Sequence, residues 1–194
     1  MPAQGSAFVV FRDKQKANRD TIQNFPKPIK SIPITGTWKV TFTKPDSTSF
    51  VQSFDRLWDW SRHPDKQINY FSGSATYELA LPQITAADKG HRLVLSLGKI
   101  IAVGRVFVNG KEVGPVWTSP YEIDITDFCT EKSNTVAIKV TNTWANNLIG
   151  EKQLPENERK LWTIVDPYNT DSPLHNAGLL GPASIKVYRQ SVSK

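Results

Sequence analysis

Two stretches decide the fold: Gly114-Pro-Val-Trp-Thr-Ser-Pro-Tyr-Glu-Ile-Asp-Ile-Thr-Asp-Phe128 and Asn134-Thr-Val-Ala-Ile-Lys-Val-Thr-Asn-Thr-Trp-Ala-Asn147. In the first, Tyr121, Ile123 and Ile125 alternate with Glu122 and Asp124. In the second, Val136, Ile138 and Val140 alternate with Ala137 and Lys139. A period of two sends successive side chains to opposite faces of a strand, so each stretch predicts a strand with one buried face. Each strand adjoins a loop that carries a tryptophan beside proline or asparagine. Flat aromatic faces next to amide side chains match the alternating apolar and hydroxyl faces of sugar rings.

The same alternation extends outward in both directions. Trp38, Val40 and Phe42 alternate with Lys39 and Thr41, and Tyr77, Leu79 and Leu81 with Glu78 and Ala80. Leu93, Leu95 and Leu97 follow, then Val106 and Val108, and near the end Ile185 and Val187. Asn109-Gly110, set between Phe107-Val108 and Lys111–Val113, predicts a type I′ hairpin, because both central residues of that turn take positive φ. Long helical patterns are absent; Thr85–Lys89 and Leu154–Leu161 predict a turn or two each. Seven or more strands punctuated by turn residues predict an all-β, two-sheet antiparallel sandwich.

Residues 1–29 read differently. Ala7–Phe11 predicts a short buried strand, a polar stretch runs from Arg12 to Asn24, and Phe25-Pro-Lys-Pro-Ile29 with Ile32-Pro33 forms a proline-rich connector that cannot be helical throughout. We therefore expect 1–29 to be the tail of a preceding domain plus linker, and 30–194 to be the sandwich. Two regions break the rhythm of that body: Leu57–Asp65, dense in aromatic, charged and imidazole groups, and the long stretch Thr143–Pro182. Irregular segments on a rigid sandwich are where binding usually resides.

Bulk composition narrows the partners. The 24 basic and 18 acidic residues give +6, but the basic residues are spread out, and Lys14, Lys16 and Arg19 form the nearest thing to a cluster. Nucleic-acid readers concentrate such charge on one face, so no nucleic-acid partner is expected. One cysteine, Cys129, excludes an internal disulfide. No apolar run approaches the ~18 residues of a spanning helix, so no membrane partner is expected. The opening residues lack the pattern of a signal peptide. The parent is then cytoplasmic, or this chain belongs to a longer secreted protein.

Catalytic signatures are sparse. His63, His91 and His175 are far apart and none has a zinc-ligand spacing. A glycosidase needs two carboxyl groups ~5–9.5 Å apart, for which Asp59, Asp65, Glu122 and Asp124 are the candidates. Glu122 and Asp124 alternate with core positions, which assigns them to a solvated face instead. Trp38 reads as core. Trp58 and Trp60 flank Asp59 and share a face in an extended segment, where core packing or edge cover outweighs ligand stacking. Trp162 and Tyr168 stand with Trp117 and Trp144 as candidate sugar platforms. Asp166, Asn169 and Asp171 place three oxygen side chains within six residues. Calcium takes such ligands, although a plain Asx turn explains the same letters. Cys129 reads as a small packing residue.

The ordered series Tyr70–Glu78, Leu97-Gly98, Val106–Gly110, Gly114–Tyr121, Asp124–Phe128 and Asn134–Asn142 resembles the sugar-binding jelly-roll domain of family-2 glycoside hydrolases, with its galactose-binding-like fold. Phe8–Arg12, Thr143–Pro155 and Ser172–Pro182 make it most similar to the C-terminal region of α-L-rhamnosidase-like enzymes of family 106. The resemblance implies a non-catalytic module, attached to a catalytic domain that carries the carboxylates elsewhere on the same polypeptide. It also implies a parent in the periplasm or at the cell surface. On that reading Trp117, Tyr121, Asn142, Trp144 and Asn147 stack on and hydrogen-bond carbohydrate, no cofactor beyond the calcium alternative is expected, and the state is a monomer. The competing reading is a structural spacer that packs on the catalytic domain without binding sugar.

Overall fold

The computed structural model describes residues 26–85, 88, 90–165 and 167–189. The Ala7–Phe11 strand, the Lys14/Lys16/Arg19 group, most of the Thr85–Lys89 turn and Asp166 lie outside the described residues.

Six strands form the larger sheet: β2 (Trp38–Thr43), β3 (Ser49–Phe54), β4 (Ser74–Ala80), β7 (Val103–Val108), β8 (Lys111–Val116) and β10 (Thr135–Thr141), in the order β3-β2-β4-β10-β7-β8. Four form the facing sheet: β1 (Lys30–Pro33), β5 (Arg92–Ser96), β9 (Glu122–Asp124) and β12 (Ser184–Tyr188), in the order β1-β12-β5-β9. A short ribbon pairs β6 (Ile100–Ile101) with β11 (Gly178–Leu179). Every pairing is antiparallel. The result is an all-β sandwich of the jelly-roll, galactose-binding-like type.

The alternation in the sequence is the alternation in space. Trp38, Val40 and Phe42 are buried from β2, Val106 and Val108 from β7, and Val136, Ile138 and Val140 from β10. They meet Leu93, Leu95, Leu97, Ile185 and Val187 of the smaller sheet in one core. Full burial of each such side chain stabilises the fold by roughly 1.5–3 kcal/mol, which makes this layer the main source of rigidity. The β7–β8 hairpin turns at Asn109 (φ 52°) and Gly110 (φ 77°), the left-handed pair expected of a type I′ turn. Asn109 also secures the neighbouring chain, since its Oδ1 accepts from Thr135 N (3.0 Å) and its Nδ2 donates to Phe128 O (2.9 Å).

Three features depart from the sequence reading. Trp58 and Trp60 do not share a face of an extended segment. Asp59 caps a 3₁₀ turn over Trp60–Arg62, and this turn drives Trp60 into the core while Trp58 stays half-buried. Trp58 lies under the Arg56 guanidinium, 4.2 Å from its ring centroid. Ile32-Pro33 belongs to strand β1 rather than to a connector; a proline is tolerated there because β1 is an edge strand. Finally, the irregular stretch after β10 contains a helix, α2 (Ala145–Lys152); the shorter α1 (Lys66–Asn69) lies between β3 and β4. Within Leu154–Leu161 a single 3₁₀ turn forms at Glu156–Glu158.

Candidate functional site

The register of three neighbouring strands places the two candidate tryptophan loops. Thr141 at the end of β10 pairs with Val103 of β7, and Val116 at the end of β8 pairs with Gly104. Strands β8 and β10 therefore finish at one rim of the larger sheet, separated by β7. Two strand spacings amount to about 10 Å. Trp117 follows β8 directly and Trp144 follows β10 by three residues. They are 67% and 60% exposed, so both rings are open at this rim.

Their companions behave less uniformly. Tyr121 is half-buried and packs against the core, with φ 55°. Its N–H donates to Thr118 O (2.9 Å), and its carbonyl accepts from Leu97 N (3.0 Å), which fixes the Trp117 loop to the smaller sheet. Asn142 spends its amide on the fold: Oδ1 accepts from Gly73 N (3.0 Å) and Nδ2 donates to Phe71 O (2.8 Å). The side-chain amide of Asn147, half-buried in the first turn of α2, has no hydrogen-bond partner among the described residues.

Helix α2 organises the long segment behind Trp144. Asn146, nearly fully buried, clamps His175 at two points, with Nδ2 donating to His175 O (2.7 Å) and Oδ1 accepting from His175 N (2.8 Å). Glu151 Oε2 accepts from Lys160 N (2.6 Å), and Gln153 Nε2 donates to Thr170 O (2.9 Å). Held in this way, the segment leaves a groove of about 450 Å³ lined by Trp144, Leu148, Trp162, Ile164, Val165 and Tyr168, among others. Ile164 and Val165 were not singled out in the sequence. The signal available was the uncharged run Leu161-Trp-Thr-Ile-Val165, which lacks both strand and helix periodicity.

The four carboxylates considered for catalysis are each engaged within the fold. Asp59 Oδ1 accepts from Ser61 N (3.1 Å), Ser61 Oγ (2.8 Å) and Ala177 N (3.0 Å). Asp65 caps α1 by accepting from Gln67 N (2.8 Å). Glu122 pairs with Lys186 and is only 19% exposed at its side chain, rather than facing solvent freely. Asp124 accepts from Arg92 Nε (2.6 Å) and Thr126. Burial pushes the Asp124 carboxyl upward, but the Arg92 and Thr126 hydrogen bonds outweigh it and hold the group below the usual carboxylate value.

Among the described residues, no three His, Cys, Asp or Glu side chains gather as a metal-ligand set. Asn169 Oδ1 accepts from Asp171 N (2.9 Å), closing an Asx turn. Burial pushes the Cys129 thiol up to about 11. Among the same residues, no helix is long and apolar enough to cross a membrane.

No protein-family model matches the chain. It is 31% identical over 196 residues to a protein of Formosa agariphila named "Putative beta-glucuronidase", covering 89% of this chain and 17% of that one. Among solved structures it superposes on a rhamnosidase from Novosphingobium sp. PP1Y with a TM-score of 0.69 and 31% identity, over 91% of this chain and 16% of the rhamnosidase. A β-D-glucuronidase of Dictyoglomus thermophilum shares the fold, with a TM-score of 0.56 at 18% identity, over 86% of this chain and 30% of its own. The chain thus spans about one-sixth of the length of the two relatives that it resembles at 31% identity, and its homologues are glycoside hydrolases.

Proposed function

We propose that this chain is a non-catalytic accessory domain of a larger glycoside hydrolase, presenting carbohydrate to one rim of its sandwich. One observation carries the reading: Trp117 and Trp144 are exposed rings that follow two strands ending at the same rim of one sheet, the strand ends about two strand spacings apart. Asn147 and the Tyr121 hydroxyl supply polar contacts beside them, whereas Asn142 acts by holding the rim in shape. The similarity to a rhamnosidase across nine-tenths of the chain supports an α-L-rhamnosidase-like parent of family 106. Such a parent acts in the periplasm or at the cell surface, and its catalytic carboxylates lie outside this domain.

Titration with a panel of plant and host oligosaccharides, followed by tryptophan fluorescence, tests the proposal. We expect a saturable change that is lost in Trp144→Ala and weakened in Trp117→Ala. A flat response across the whole panel would instead favour the second reading, a spacer that packs on the catalytic domain. That reading draws on the engagement of Asn142 within the fold, which removes one of the two candidate amides from the sugar-binding set.

A further inference from the structure

We infer that the groove behind Trp144 is a protein-docking surface, occupied by an apolar face of the neighbouring domain on the same longer polypeptide. The inference rests on the accessory-domain reading and adds the face through which that domain is seated.

The chemistry of the groove selects its occupant. Ile164 is 92% exposed, Val165 78% and Trp162 79%. None of the described lining residues is charged. The one hydroxyl among them on a small side chain, Thr163 Oγ1, already donates to Val165 O (2.8 Å). A sugar needs several hydrogen-bonding groups around its ring, and a stripe of exposed aliphatic side chains offers none. Aromatic side chains cover ~150–250 Å² each, so Trp144 and Trp162 alone leave on the order of 300 Å² open, and the exposed Ile164 and Val165 extend this mainly apolar surface towards ~600 Å². A patch of that size matches the largest found on a typical monomer, and such patches are often functional.

Area also favours a tethered domain over a second copy. Specific associations of separate chains bury ~600–1,000 Å² per partner, so this patch lies at the lower bound of that range. Interfaces between domains of one chain bury ~600–1,500 Å² in total, or ~300–750 Å² a side, and gain from the high effective concentration of a linked neighbour. In both relatives at 31% identity, the matched segment is about one-sixth of a longer polypeptide, so such a neighbour is present there. Trp144 stands where the groove meets the rim, which places the proposed sugar contact at a domain boundary, a common location for ligand sites.

The test uses Ile164→Cys in the 194-residue chain and in the longer polypeptide that carries it, with thiol labelling at position 164 read by peptide mass mapping. Cys129 is buried and contributes little background. We expect labelling at least tenfold slower in the longer polypeptide. A companion variant, Ile164→Asp, leaves the unfolding midpoint of the isolated chain unchanged and lowers that of the longer polypeptide. Equal labelling in both contexts overturns the inference. So does protection in the isolated chain that grows with protein concentration, which indicates a second copy, or protection produced by the panel oligosaccharides, which indicates a sugar site. A flat fluorescence titration with position 164 still protected removes the sugar contact and leaves the docking surface standing. A gene that encodes these 194 residues alone removes the accessory-domain reading itself.

Discussion

Replacing Tyr77 with phenylalanine isolates one buried hydroxyl and reports how the aromatic turn is fastened to the sandwich. The Tyr77 hydroxyl accepts from Trp60 Nε1 at 2.6 Å and from Leu179 N at 3.3 Å, so it joins β4, the 3₁₀ turn and β11. Burial pushes its proton affinity well above the ordinary tyrosine value, so the group stays a neutral hydroxyl at any working pH. Phenylalanine keeps the ring and its packing on Trp38 (centroids 6.2 Å apart) and Trp60 (6.5 Å). What is lost is the shared acceptor, which leaves two donors without partners in a dry site. An orphaned buried group costs about 1–3 kcal/mol, and the longer Leu179 contact counts at the low end, so we expect a loss of roughly 2–4 kcal/mol. For a domain of this size that corresponds to a fall of roughly 5–15 °C in Tm. Urea unfolding with an unchanged m-value is the primary assay, and faster hydrogen exchange at the Leu179 amide localises the effect. A loss below ~0.5 kcal/mol, the range of ordinary surface substitutions, would refute the reasoning.

Gly178 takes φ 95°, and a Cβ there would lie 2.5 Å from the Trp60 indole; Gly178→Ala should therefore cost at least ~2 kcal/mol by the same unfolding assay. Acid should weaken the fold in two stages, visible in urea midpoints from pH 8 to 2.5. Burial depresses His63 below 6.5, so the unfolded chain takes up that proton first and stability begins to decline as pH falls below about that value. Asp88 is held low by the Thr85 hydrogen bond and by Lys30 against the opposing effect of burial, and Asp124 is also depressed. Their contributions are therefore complete above about 3.8 and vanish as pH drops through the folded values. Asp88→Asn should flatten the second stage, and an unaltered acid limb in that variant would count against the assignment. Cys129, lifted to about 11 by burial, should resist a thiol reagent at pH 8 in the native protein and react promptly in urea; fast native labelling would contradict its placement.

The core was legible because period-two patterning is a direct projection of the pleat. Val136, Ile138 and Val140 are buried on one strand while Thr135, Lys139 and Thr141 are exposed. The Asn109-Gly110 turn was legible for a similar reason, since few other pairs accept two positive φ values. Helix α2 was not, because Asn-Asn-Leu-Ile-Gly carries weak helix formers and the helix is held by tertiary bonds from Asn146 and Glu151. The fate of Trp60 was hidden for another reason: Asp59 captures Ser61 and Ala177, and Ala177 is 118 residues away in sequence. At the candidate site, the exposure of Trp117 and Trp144 follows from their place just beyond strand ends. Whether an asparagine beside them faces solvent or locks a backbone depends on long-range partners such as Gly73 and His175, which local spacing cannot encode.

The groove residues Trp144, Leu148, Trp162, Ile164 and Val165 all lie outside the cluster that fills the space between the sheets. Substitutions in that appendage therefore leave the inter-sheet packing untouched, and the two parts are free to diverge at different speeds. A lineage can retain this sandwich intact and, by rewriting some two dozen letters after β10, seat it against a different companion.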